Sequence, residues 1–333
     1  MKNIFIFLLF FSLTISLSFA QITTTGTVLD NLSQEPLEGV SVYYDGTTIG
    51  VITNAEGYFS ITTPKKLTTP LIISYIGYYT IMIAEPANGS IGKLVLKESA
   101  VQLNEVVLKP DTWSREKKMG IFKREFLGET PGSNNCRILN EEVIRLYYDS
   151  KAKKLHAYAS KPILIVNKYL GYHLQYNLED FVVRYHTGRY SKEKINSVYY
   201  AGTTLFSELN PELKRKHKSN RELNYYGSKL HFMRALASEK LNEENFRIFK
   251  GKKQVNPATY FLTTKISGFT KVTQIEKRLN ILYKKRFNSF IVAEKSPYYI
   301  DEVGNHSPPI NILFGGDMSI LRVANSLPLD FNP

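Results

Sequence analysis

One cysteine, one tryptophan and no long apolar run beyond the first twenty residues set the first limits on this chain of 333 residues. Cys136 has no partner, so no internal disulfide forms and the fold must rest on packing. As a lone thiol it is expected to be buried and unreactive. None of the six histidines has Glu three residues later, and no His-Glu-x-x-His run occurs, so the ligands of a zinc peptidase are missing. Gly315-Gly316-Asp317 is followed by neither Lys-Ser nor Lys-Thr and reads as a hairpin turn, not a phosphate loop. No cofactor or metal is expected.

What is present begins with MKNIFIFLLFFSLTISLSFAQ, where one Lys precedes an apolar run that exits through Ser18-Phe19-Ala20. This is the pattern of a secretory signal peptide over residues 1–20, with cleavage expected between Ala20 and Gln21. The run is shorter than the roughly 20 residues of a spanning helix. No Cys follows it, so the exported chain is not expected to be a lipoprotein. The formal net charge is +13. Its basic residues are scattered through REKK (115–118), KRKHK (214–218), KGKK (250–253) and KKR (284–286), the pattern of a solvated face. Export argues against a nucleic-acid partner. The sharper reading of the charge is peripheral outer-membrane association through phosphate-bearing lipid, which salt would weaken.

From Ile22 the chain alternates apolar and polar residues between turns. VSVYY puts Val40, Val42 and Tyr44 on one face, with Ser41 and Tyr43 on the other. DGT and NAEG turn the chain, and Gly57 suits a positive φ. LIISYIGYYTIMIA reads as two strands bent at Gly77, and IGKLVLKES as another. About seven short strands at this spacing describe a β-sandwich. The runs Pro36-Leu37-x-Gly39-Val40, Thr53-Asn54-x-x-Gly57-Tyr58-Phe59 and Ser74-Tyr75-x-Gly77-Tyr78 resemble the carboxypeptidase-regulatory-like domain of secreted Bacteroidetes proteins, over residues 21–108. The resemblance implies a seven-stranded transthyretin-like sandwich without an active site of its own. Such domains precede outer-membrane TonB-dependent receptors or accompany metallocarboxypeptidases. The peptidase host lacks its ligands, and residues 109–333 do not read as a plug and large barrel.

Pro110 marks the expected boundary to a β-rich α+β domain over 109–333 with one or two central helices. A helix is expected at 140–150 behind Asn140, a hairpin over 171–188 around Leu-Glu-Asp, and a helix over 219–241. In that last stretch Ser219 caps, Gly227 interrupts and Ser228 caps again. Tyr226, His231 and Arg234 are the candidate interaction residues there, although a His beside a core-facing stripe is ordinarily structural. The second part resembles an uncharacterised region that follows the module in Bacteroidetes secreted proteins, a likeness that implies no activity. The expected function is a non-enzymatic interaction or adaptor protein of the periplasm or outer membrane, with an envelope protein or glycan as partner. Two alternatives stand beside it. One is a hydrolase of envelope or glycan substrates using carboxylates such as Glu179, Asp180, Glu208 and Glu222. The other is a small outer-membrane barrel, because 13% of the residues are aromatic.

Overall fold

The computed structural model describes residues 21–64, 67–99, 112–186, 194–212 and 214–333. The expected signal peptide, with Ala20, and the expected boundary at Pro110 lie outside them. The described residues are mostly β and hold three buried apolar clusters.

The first cluster fills a sandwich of seven strands: β1 (Ile22–Asp30), β2 (Ser41–Tyr44), β3 (Gly50–Ile52), β4 (Tyr58–Thr63), β5 (Leu71–Ser74), β6 (Ile81–Ile83) and β7 (Gly89–Leu96). One sheet runs β4-β1-β7 and the other β3-β2-β5-β6. The period-two pattern does what it predicts: Val40, Val42 and Tyr44 are buried against Phe59, Ile61 and Ile73. Gly57 has φ +67, and its carbonyl accepts from Val28 N–H at 2.8 Å.

The second cluster lies under a six-stranded sheet of β8 (Cys136–Ile138), β9 (Ile144–Asp149), β10 (Lys154–Ala159), β11 (Ile163–Asn167), β12 (Tyr172–Tyr185) and β13 (Ile195–Glu208). It is covered by a helix that periodicity within REKKMGIFKREFL encodes, α1 (Arg115–Leu127), capped by the Ser114 hydroxyl, which accepts from Lys117 N–H. Met119, Phe122 and Phe126 form its buried stripe, and Phe122 stacks on Phe126 with centroids 4.9 Å apart. The helix expected at 140–150 is a single 3-10 turn, Glu141–Val143, followed by β9. Asn140 does not cap it, because its side chain bridges Pro162 O and Leu164 N–H across to β11, and Ile-Arg-Leu-Tyr-Tyr then pairs with β10. The hairpin expected over 171–188 is one continuous strand, β12, that takes up Leu178-Glu179-Asp180 as a register shift against β13.

The third cluster lies between two sheets and the second of two helices. The five-stranded sheet holds β14 (Phe246–Lys250), β15 (Lys253–Val255), β18 (Arg278–Tyr283), β19 (Phe287–Ala293) and β22 (Ile312–Gly316). The four-stranded sheet holds β16 (Phe261–Ile266), β17 (Phe269–Gln274), β20 (Tyr298–Asp301) and β21 (His306–Ser307). The helices are α2 (Arg215–Tyr225) and α3 (Lys229–Ala237). α2 starts four residues before the expected cap, leaving Ser219 within the helix. The break at Gly227, φ +85, and the Ser228 cap on His231 N–H match the expectation. Gly315-Gly316 ends β22 and leads into the short helix α5 (Asp317–Ile320), which follows the four-residue α4 (Pro257–Tyr260), so no hairpin turn occurs there. A small barrel needs one closed sheet, whereas the described strands divide into five separate sheets.

Two sandwich glycines separate backbone strain from steric conflict. Both Gly57 and Gly77 have positive φ, but a Cβ at 57 would stand 2.4 Å from Val28 O, while nothing lies within 4 Å of one at 77. Gly57→Ala is expected to cost about 2–4 kcal/mol and Gly77→Ala about 1 kcal/mol, read as urea midpoints of the two variants against the parent chain.

Candidate functional site

The sandwich is fixed to the second sheet by two main-chain bonds and the Asp45 carboxylate. Gly46 N–H donates to Thr204 O at 2.7 Å, Phe206 N–H donates to Thr47 O at 3.0 Å, and Thr204 N–H donates to Asp45 Oδ1 at 2.7 Å. Tyr43, on the face expected to point outward, is instead buried at this seam. Its hydroxyl meets Thr203 Oγ1 at 2.9 Å and accepts from Asn177 Nδ2 at 2.6 Å. Burial pushes its phenol up to about 12.

Beside this seam runs a groove of about 410 Å³ between the Ser74-Tyr75-Ile76-Gly77-Tyr78-Tyr79 turn and the β10–β11 connection. Tyr75, Tyr78, Tyr79 and Tyr158 line it, with Asn177 and Glu179 among the polar groups. Tyr79 is 59% and Tyr158 51% exposed, so two ring faces are open to solvent. Tyr75 and Tyr78 lie 5.4 Å apart at 41°, and Gly77 with φ +89 makes the bend that brings these rings to one side. Flat apolar faces flanked by amide and carboxylate groups suit a ligand that alternates C–H surface with hydroxyls. The sequence carried the tyrosines but not their convergence, since Tyr158 comes from a different sheet.

Tyr226, His231 and Arg234 do not form the cluster expected of them. His231 is buried, with Nδ1 accepting from Gly227 N–H at 3.1 Å and Nε2 at 3.0 Å from Glu244 Oε2. These bonds place its proton on Nε2. Tyr226 meets it only edge-on, with centroids 5.4 Å apart. Arg234 points the other way and donates to Val303 O (2.9 Å), Leu329 O (2.8 Å) and Phe331 O (2.9 Å). It clamps the last residues of the chain, while Leu329 N–H donates to Gly46 O at 2.7 Å and the Asp330 carboxylate binds Thr48. Of the four carboxylates singled out, Glu208 is held by both terminal nitrogens of Arg221, at 2.9 and 2.6 Å. Cys136 is half-buried, and burial pushes its thiol up to about 12.

Residues 24–108 match the family model of the CarboxypepD_reg-like domain. The first unit of the chain is a CarboxypepD_reg-like domain. A TonB-dependent receptor of Formosa agariphila is 37% identical over 102 residues, which cover 30% of this chain and 9% of the receptor. This chain therefore spans under a tenth of the length of that relative. Among solved structures, an N-terminal interface mutant of the type II cohesin–X-dockerin complex from Acetivibrio cellulolyticus is similar to 23% of this chain and 58% of its own, with 22% identity and a TM-score of 0.21. A 9R-lipoxygenase from Cyanothece PCC8801 shows 10% identity and a TM-score of 0.20, covering 70% of this chain and 49% of its own.

Two titrating groups flank the seam of the CarboxypepD_reg-like domain, with opposite effects. Burial, then the charge of Lys229, lowers His306 to about 4. Below the unfolded value near 6.5 the unfolded chain binds a proton that the folded chain does not, so stability is full above pH 6.5 and falls toward pH 4. Burial, then Glu179, raises Asp45 to about 6, against an amide bond from Thr204 that lowers it. The stability from that group is full below the unfolded value near 3.8 and is lost as pH rises through 6. Across pH 5–6.5, His306→Gln is expected to reduce the acid-side loss by about 1–2 kcal/mol and Asp45→Asn to increase it, measured as Tm against pH. Arg234→Leu strands three carbonyls and is expected to cost about 3 kcal/mol. Arg234→Lys recovers only part of this, because one ammonium cannot reproduce the guanidinium fork; urea midpoints of both variants measure the difference.

Proposed function

We propose that this is an exported, non-catalytic interaction protein of the cell envelope, which binds a glycan through the tyrosine groove at the edge of its CarboxypepD_reg-like domain. The groove carries the reading: two open ring faces, Tyr79 and Tyr158, stand with Asn177 and Glu179 on a rigid seam. The receptor relative supports an outer-membrane setting. The scattered basic surface adds peripheral attraction to an anionic envelope. A hydrolase would need two free carboxylates across one cleft. Glu179 lines the groove while Asp45 lines a different hollow; Asp301, Glu302 and Asp330 share a third, where Asp301 accepts at one oxygen from Val303 and Asn305 N–H and Asp330 is engaged by Thr48. These positions favour binding over hydrolysis.

The test is fractionation of cells expressing either the parent chain or the Tyr79→Ala/Tyr158→Ala variant. The parent is expected with the envelope, released by salt together with free glycan fragments and bearing Gln21 at its N-terminus by mass spectrometry. The variant is expected in the soluble periplasm. Release of the parent by detergent alone, or an unchanged distribution of the variant, would overturn the proposal.

A further inference from the structure

A second hollow, of about 310 Å³, lies where all three units meet. The CarboxypepD_reg-like domain contributes Asp45 and Gly46, β12 and β13 contribute Tyr176 and Tyr200, and the first turn of α3 contributes Ser228, Lys229 and Leu230. The wall closes with His306 from β21 and with Arg322. This volume is at the lower end of small-molecule pockets and suits a body of roughly ten heavy atoms.

Its polar groups are unevenly spread. Among the described residues no hydrogen bond or ion pair engages the half-buried Lys229 ammonium. Burial and the charge of Arg322 both push its pKa down, so this is a lysine held in an environment that disfavours its own charge. Arg322 reaches Glu125 only at 3.8 Å, and Glu125 is already held by Arg124 at 2.7 Å. Arg322 also lies over the Tyr200 ring, 6.0 Å from its centroid. Lys229 opens the nine-residue α3, so the positive end of that helix adds to the same corner. Asp45 stands on the opposite, sandwich side, where its perturbation comes from burial and Glu179 and not from these cations. Two cations, an imidazole, a tyrosine ring and a helix start thus line one hollow, together with Phe206, Leu230 and Met233.

We infer that this hollow binds a small organic anion, with its oxyanion head between Lys229 and Arg322 and its apolar body along Tyr176, Phe206 and Met233. A carboxylate or a phosphate monoester satisfies the same geometry, because Lys acts as a point charge and Arg as a fork toward either head. The incoming charge supplies the partner that Lys229 lacks and tethers three units through one ligand. Occupancy therefore raises thermal stability by mass action.

The test uses the full exported chain, titrated by calorimetry and thermal shift with benzoate, phenyl phosphate and the uncharged benzamide. Benzoate or phenyl phosphate is expected to bind at least tenfold more tightly than benzamide and to raise Tm, and the stronger of the two identifies the head group. Lys229→Met is expected to weaken the preferred anion at least tenfold. Lys93→Met, the same charge change at an exposed sandwich position, is expected to leave binding unchanged. Equal affinity for benzamide and both anions, or anion binding retained in Lys229→Met, would overturn the inference. The anion-versus-amide contrast in the parent chain keeps the test decisive even if the Lys229 variant folds poorly. The tyrosine groove contributes nothing to this readout, so the two sites fail or stand separately.

Discussion

The guanidinium of Arg234 is the point on which the assembly of the three units depends. It projects from α3 and donates to three carbonyls, at Val303, Leu329 and Phe331. The held tail then reaches the CarboxypepD_reg-like domain through Leu329 N–H to Gly46 O and Asp330 to Thr48. Val303 and Leu329 also pack into the sandwich's own apolar cluster. Carbonyls drawn out of water need donors, and one planar fork with five N–H groups meets several of them without an opposing charge. With the tail in place, the loop at 45–48 presents the Gly46 N–H, the Thr47 carbonyl and the Asp45 carboxylate to β13, and the seam closes.

That seam explains why the sandwich is not a loosely tethered module. Inter-unit contacts between domains of one chain are ordinarily polar and permit relative motion. Here the contact is a single parallel bridge, Thr47 against Leu205, backed by a buried phenol. Backbone pairing fixes register as well as proximity, so the rings of the Ser74–Tyr79 turn are held against Tyr158 at a set distance. The tyrosine groove and the cationic hollow both owe their walls to this fixed relation, since each takes residues from more than one unit.

The positions where local sequence signals failed share a cause. Asn140 followed by two glutamates is a helix start by its neighbours, but its amide is drawn to the β10–β11 connection and the next residues complete a sheet edge. Leu178-Glu179-Asp180 looks like a turn by composition. β13 pairs along both sides of it and absorbs the extra residue as a bulge. Ser219 has capping-box spacing with Glu222, yet α2 begins four residues earlier, where Asn220, Arg221, Asn224 and Tyr225 can face inward. In each case a tertiary partner outbid a local preference worth about 1 kcal/mol.

Sequence by itself determined the sandwich. Strict alternation sends Val40, Val42, Tyr44, Phe59 and Ile61 to one interior, and glycines at 57 and 77 allow the turns between strands. It also determined the break at Gly227, the Ser228 cap and the core stripe of α3, because those depend on residues within one or two turns of each other. Only the tertiary structure decided what the polar residues do. His231 was legible as the flank of a buried stripe, but its partner Glu244 lies thirteen residues on, outside any local spacing. Arg234 reads as an interaction candidate until the chain returns, 69 to 97 residues later, to lay three carbonyls before it. Alternation and capping act over a few residues and can be read along the chain. Charge pairing and ring convergence act through space, and no spacing in the sequence records them.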